Sequence, residues 1–311
     1  MNMLIEQARR LIEEEMRQLT RYQRVPLFYD PIDYMLGMGG KKVRPVLLWL
    51  SCGMAGGDPR RALPAAAAVE LLHDFSLVHD DIMDNDETRR GKPTIHKRWD
   101  LNTAILAGDG LLGFAFQKLL QSDTPRRAEL AEELTRAMIV ICEGQALDKQ
   151  FENDSAVTTE AYMDMIQRKT AALIEVSCVM GGIVAGADGE RLESLRTLGH
   201  SLGMAFQLQD DMLDIMADEA ALGKKVGSDF EMHKQTILAI RLRERLGAEA
   251  FARLDLAGYR QALQEEGVLQ TVDEQIRDYF KNTFDILESF EAGPYAAALK
   301  ELILSLKNRT Y

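Results

Sequence analysis

The sequence predicts an all-α protein of long, largely buried helices, and three observations carry that prediction. Proline stops at Pro125 and returns only at Pro294, so the strongest helix breaker is missing from the 168 residues between. Alanine, leucine, glutamate and arginine dominate that stretch, and all four are good helix formers. Alternating strand patterns are few, and Asn-Gly hairpin signals are absent from the sequence.

The elements follow in order. Residues 2–22 read as an amphipathic helix with acidic residues in its first turns, unlike the basic start of a signal peptide. Helices follow at 43–55 and 62–86, the second opening with Pro64 near its N-terminus and running apolar at helical spacing. Further helices are expected at 101–121, 126–150, 159–186, 190–217, 234–246, 248–265 and 268–309, the last with interruptions. Loops are expected at 37–42, 56–60, 89–93, 153–158, 187–190 and 221–229. No low-complexity linker or solenoid-length repeat divides the chain, so one domain over 1–311 is expected.

Composition excludes several classes of function. The chain has 311 residues, 46% hydrophobic and 28% charged, as in a globular protein. A net charge of −12 argues against a nucleic-acid binder, which needs a basic face. Cys52, Cys142 and Cys178 are odd in number and lack metal-ligand spacing, which points to a reducing, cytoplasmic location. No apolar run reaches the ~18 residues of a membrane span.

Two acidic motifs then stand out. Asp80-Asp81-Ile82-Met83-Asp84 and Asp210-Asp211-Met212-Leu213-Asp214 are both DDxxD, and each follows an apolar helical segment. Residues four apart share a helix face, so Asp80 stacks with Asp84 and Asp210 with Asp214. Like charges there cost a few tenths of a kcal/mol, which a divalent cation would offset. Oxygen-only ligands suit Mg²⁺, which shares its shell with waters and substrate phosphates.

Basic clusters alternate with these motifs. Gly39-Gly40-Lys41-Lys42-Val43-Arg44-Pro45 sets flexible backbone and three cations at a helix start, which itself favours anions. Arg89-Arg90-Gly91-Lys92-Pro93-Thr94 follows the first acidic motif, Arg168-Lys169-Thr170 opens an apolar segment, and Gly223-Lys224-Lys225 follows the second. Such clusters inside a net-negative protein suit a site for diphosphate plus metal.

In these segments the sequence resembles the trans-isoprenyl diphosphate synthases (polyprenyl synthetases) of the farnesyl and geranylgeranyl type. GGKKVRP at 39–45, ELLHDFSLVHDDIMDNDETRRGKPT at 70–94, RKT at 168–170, FQLQDDMLD at 206–214 and GKKVGSD at 223–229 occur in the family's order. The resemblance implies a bundle of long helices around a central cavity, usually in a homodimer. It implies that Asp80, Asp84 and Asp210, supported by Asp81 and Asp214, hold Mg²⁺, three ions once substrate is bound. Arg89, Lys169, Thr170, Gln207 and Lys224 would then position an allylic diphosphate (dimethylallyl, geranyl or farnesyl). Lys41, Arg44, His73 and Arg90 would bind isopentenyl diphosphate. Asp80, Asp84, Lys169, Asp210 and Lys224 would carry the catalysis, a head-to-tail condensation to C15–C20 products.

Product length is expected to depend on the helix before Asp80. The family's chain-length position, five before the first Asp, is Phe75, and an aromatic there favours short products, C20 ahead of C15. Helical geometry also admits Ser76, which lies nearer the face of Asp80, and Leu72, ~12 Å below Asp80. One departure is His233 in the family's usual glycine position, which leaves the role of Lys234 open. The C-terminus also lacks the fully basic tail of some members. A class I terpene cyclase would lack the second DDxxD, and a non-catalytic partner subunit would have lost acidic residues. A longer-chain polyprenyl synthase is the remaining enzymatic alternative.

Overall fold

The computed structural model describes residues 2–20, 25–152, 154, 156–216, 227–232 and 234–309. The chain divides into two compact units. The first comprises 1–138, 176–196 and 290–301; the second comprises 139–175, 197–289 and 302–311. Among the described residues both are helical apart from one short hairpin, in agreement with the all-α class expected from the sequence.

The first unit opens with α1 (Met3–Arg17), capped by the Asn2 side chain, which accepts a hydrogen bond from the Leu4 amide. Ile5, Ala8, Ile12 and Met16 fall on one face and are buried. Next come α2 (Pro26–Leu36), α3 (Val43–Met54) and α4 (Leu63–Met83). A two-strand antiparallel hairpin, β1 (Thr88–Arg89) and β2 (Lys92–Pro93), leads to α5 (Ile95–Arg98) and α6 (Leu101–Leu119).

Helix α4 packs along α6. Ala65 to Ala68 are wholly buried, and small residues on both helices permit a close approach. At Gly108 on α6 a Cβ would stand 2.3 Å from His79 Nε2 on α4. This packing fixes α4, which carries the first acidic motif.

Helix α7 (Arg127–Phe151) and α10 (Gly189–Met216) each contribute residues to both units. In the second unit α8 (Thr159–Ile166) runs through a π-helical turn, Gln167–Ala171, into the start of α9 (Ala172–Ala185), whose residues from Val176 on belong to the first unit. Two glycines flank that turn. A Cβ at Gly144 on α7 would lie 2.3 Å from the Lys169 amide nitrogen, and one at Gly203 on α10 would lie 2.5 Å from Ala171 Cα. The remaining helices are α11 (Ser228–Glu231), α12 (Ile237–Leu246), α13 (Ala248–Phe251), α14 (Leu256–Glu265), α15 (Val268–Glu288) and α16 (Pro294–Lys307).

The structure corrects several boundaries. Helix α2 was not expected, because Pro31 and a run of aromatics mask its pattern; Pro26 at its first turn shows the allowed placement. The 248–265 helix is two helices, whereas the interruption expected within 268–309 falls after Glu288, where Gly293 precedes Pro294. The expected 89–93 loop is the hairpin. Its central residues, Arg90 (φ 52°) and Gly91 (φ 74°), both adopt the left-handed conformation of a two-residue turn.

Candidate active site

In the first unit α4 ends at Met83, and Asp84 is its C-cap, its amide donating to the Asp80 carbonyl at 2.8 Å. Asp80 is half-buried and Asp84 exposed. Both therefore sit at the negative end of the helix dipole, which repels carboxylates and favours cations. Asp81 turns elsewhere. It is buried, and its Oδ1 accepts from Arg89 Nε at 2.7 Å and lies 2.6 Å from the second guanidinium nitrogen. Burial holds the Asp81 carboxyl above its usual range despite Arg89. Burial opposes the Arg89 charge, but Asp81 and Asp86 outweigh it and raise its pKa.

A second group of cations collects beside the turn at 37–42. The Arg90 guanidinium donates to the Gly39 carbonyl, Lys92 Nζ lies 3.4 Å from the Gly37 carbonyl, and Tyr34 donates to the Pro93 carbonyl at 2.8 Å. These contacts dock the hairpin onto the turn. Lys41 is exposed there, and Arg9 Nε donates to its carbonyl at 3.0 Å. Arg44, on the first turn of α3, reaches His73 Nε2 at 3.2 Å. Burial and then Arg44 hold the His73 imidazole well below its usual pKa, so it is neutral. The structure thus brings Arg44 to His73 and Arg90 to the turn that carries Lys41.

In the second unit Lys169 lies in the π-turn and Thr170 beside it. Lys169 Nζ donates to Asp148, and Thr170 Oγ1 donates to Gln207 Oε1 at 2.8 Å. Gln207 Nε2 donates onward to Asp211 Oδ1 at 3.0 Å, and the Tyr162 hydroxyl donates to Asp211 Oδ2. Burial pushes the Asp211 carboxyl up to about 7, and burial with Asp211 lifts the Tyr162 phenol well above its usual range. These side chains border a cavity of about 110 Å³. A π-turn is a rare distortion that recurs at functional sites, and here it separates Lys169 from Arg168, which pairs outward with Asp164 and Glu143.

Asp210 and Asp214 lie in the last two turns of α10, again at a negative helix end. Asp210 Oδ1 accepts from Arg309 at 2.8 Å, and that guanidinium stacks over Phe206, 4.1 Å from the ring centroid. Asp214 Oδ2 accepts from the Asp229 amide at 3.1 Å. Lys234 pairs with Asp229 at 3.5 Å. Lys224 and His233 lie outside the described residues.

Among the chain-length candidates, Phe75 is half-buried with its ring 4.6 Å from that of His79. Leu72 is buried in the core, and Ser76 donates to the His73 carbonyl at 2.9 Å. Asp148, Tyr162, Asp211 and Arg309 escaped the sequence reading as site residues. Asp211 alone had a signal, its place inside DDxxD.

The donor set fits Mg²⁺. Among the described residues no cluster of three or more His, Cys, Asp or Glu is gathered to hold a metal by itself. Each motif instead offers two carboxylates one helical turn apart at a negative helix end. That is the incomplete, oxygen-only set that Mg²⁺ completes with water and phosphate.

The polyprenyl synthetase family profile matches residues 25–275. A short chain isoprenyl diphosphate synthase of Methanothermobacter thermautotrophicus is 40% identical over 268 residues, 86% of this chain and 78% of that protein. The geranylfarnesyl diphosphate synthase of Natronomonas pharaonis is 35% identical over 93% of this chain and 92% of its own. The crystal structure of a geranylgeranyl pyrophosphate synthetase from Pyrococcus horikoshii superposes with a TM-score of 0.93 at 37% identity, covering 99% of this chain and 98% of that one. With two DDxxD motifs, the cation-bearing turn and the lysine of the π-turn all in place, the chain belongs to the polyprenyl synthetase family of prenyltransferases.

Proposed function

We propose that the chain condenses isopentenyl diphosphate head-to-tail with an allylic diphosphate, releasing a short trans-prenyl diphosphate, with geranylgeranyl (C20) favoured over farnesyl (C15). The observation that carries this reading is the docking of the hairpin onto the 37–42 turn. It collects cations for a second diphosphate, which a cyclase acting on one substrate would not need. The names of the relatives support C20, with the Natronomonas protein favouring C25 as the second reading.

In this reading Lys169, Thr170 and Gln207, with Arg89 and Lys224, bind the allylic diphosphate. Lys41, Arg44, His73 and Arg90 bind the other. Asp80, Asp84, Asp210 and Asp214, with Asp81 in support, would hold three Mg²⁺ ions, which would supply positive charge to the departing diphosphate oxygens. The allylic C–O bond breaks, leaving an allyl cation. The isopentenyl alkene attacks it, and the proton lost afterwards goes to the released diphosphate, with no protein base needed. Every ~1.4 kcal/mol of stabilisation given to the leaving group is tenfold in rate.

Residues 1–311 are proposed to act as one catalytic domain, and the family match, which runs through segments of both units, supports this. The enzyme is proposed to work in the cytoplasm as a homodimer. Exposed Leu101, Ile105, Leu106 and Leu120 on and after α6 support that association. No described helix is long and apolar enough to cross a membrane. The test is metal dependence. Asp80→Ala and Asp210→Ala should each lower turnover by at least a hundredfold with the circular dichroism spectrum unchanged; full turnover in either variant contradicts the reading.

A further inference from the structure

Beneath the cation-bearing turn lies a buried charge cluster that the reaction scheme does not use. Lys42 stands just before α3 in the left-handed conformation (φ 49°, ψ 42°), which is strained for a residue with a side chain. Its side chain is 3% exposed, and Nζ lies 3.0 Å from Oε1 of Glu70, also 3% exposed, on α4. One helical turn further along α4 is Asp74, wholly buried. Burial opposes the Lys42 charge, but Glu70 and then Asp74 outweigh it and keep the ammonium protonated.

A buried Lys–Glu pair is a poor source of stability, because desolvating two charges offsets most of their attraction. Its geometric effect is larger. Lys42 is flanked by Lys41 and, two residues on, by Arg44. Gly39 (φ 75°) and Gly40 (φ 135°) precede them with no side chain to fix the backbone. Met38 and Lys42 are the buried side chains of this turn, and Lys42 is held there by its ion pair with Glu70.

We propose that Glu70 is a positioning residue for the second diphosphate site. By clamping Lys42 it holds the left-handed turn that presents Lys41 on one side and Arg44 on the other. Glu70 touches no substrate and acts only through Lys42. The inference rests on the reading of Lys41 and Arg44 as ligands of isopentenyl diphosphate.

The test measures KM for both substrates, kcat and the folded state of Glu70→Gln, Lys42→Met, the double variant and Arg44→Ala. Glu70→Gln should raise KM for isopentenyl diphosphate about tenfold, with kcat and the allylic KM within twofold. The double variant should be no worse than the poorer single variant, since both changes release one clamp. Arg44→Ala reports on the underlying reading: if it affects both substrates equally, that reading falls and the proposal with it. If Arg44→Ala acts selectively but Glu70→Gln leaves KM unchanged, or the single effects multiply in the double variant, the proposal alone is overturned. Should Glu70→Gln not fold, Glu70→Asp carries the test. It keeps the charge but withdraws it by one methylene, and the same selective rise is expected. Failure of both to fold makes the pair a stability element and overturns the proposal.

Discussion

The guanidinium of Arg44 donates to Nε2 of His73 at 3.2 Å. Arginine has no acceptor, so Nε2 must be the unprotonated nitrogen, and the imidazole carries its proton on Nδ1. Burial and the surrounding cations depress the His73 pKa, which agrees with that neutral tautomer. Its role is then to aim a cation, not to supply one.

The expected consequence is an absence of titration. His73→Gln, which can still accept from Arg44, should raise KM for isopentenyl diphosphate less than fivefold. The pH dependence of kcat/KM should keep its wild-type shape between pH 6 and 8. A lost inflection in that range would mean that His73 is charged in the working enzyme.

Asp74 makes a prediction about stability. Burial and then Glu70 push its carboxyl up to about 7, from an ordinary value of 3.8. The folded state therefore binds a proton that the unfolded chain has released. That stabilisation is complete below pH ~4, is lost as pH rises towards 7, and changes little above 7. Asp74→Asn should flatten this part of the curve. The variant should gain on wild type as pH rises from 5 to 8. Urea unfolding at pH 5 and pH 8 measures it, and an unchanged difference between the two pH values contradicts the assignment.

Gly144 should tolerate no side chain. Its Cβ position lies 2.3 Å from the Lys169 amide nitrogen, against backbone that cannot rotate away. Gly144→Ala should displace the π-turn, cost ~1–3 kcal/mol in unfolding free energy and raise the allylic KM at least tenfold. A variant with wild-type stability and KM would show that the turn is not held there.

Phe75 is proposed as the floor of the product pocket. Its ring lies against His79, ~7.5 Å along the helix from Asp80. Phe75→Ala should open space for further condensations and give products of C25 and longer, read by chromatography of the dephosphorylated alcohols. A folded, active variant with the wild-type product profile would move the floor to Leu72 or Ser76.

Much of this was legible in the chain before folding. Helix α4 announced itself through Pro64, the run Ala65–Ala68 and the apolar spacing up to Asp80. The acidic pairs followed from four-residue spacing alone. What escaped was tertiary or too short to have a period. Lys42 finds Glu70 across 28 positions, and no local pattern records that distance. The hairpin has strands of two residues, below any alternation, and only Arg90-Gly91 hinted at its turn. Arg309 meets Asp210 across 99 positions, so the tail gave no sign of it.

The proposed reaction joins two diphosphate substrates in the presence of Mg²⁺. Radiolabelled isopentenyl diphosphate incubated with the protein, farnesyl diphosphate and Mg²⁺ tests it most directly. Label should appear in a C20 prenyl diphosphate, vanish from the products in excess chelator, and return when Mg²⁺ is restored. Hydrolysis or cyclisation of the farnesyl substrate with no incorporation of label would contradict it.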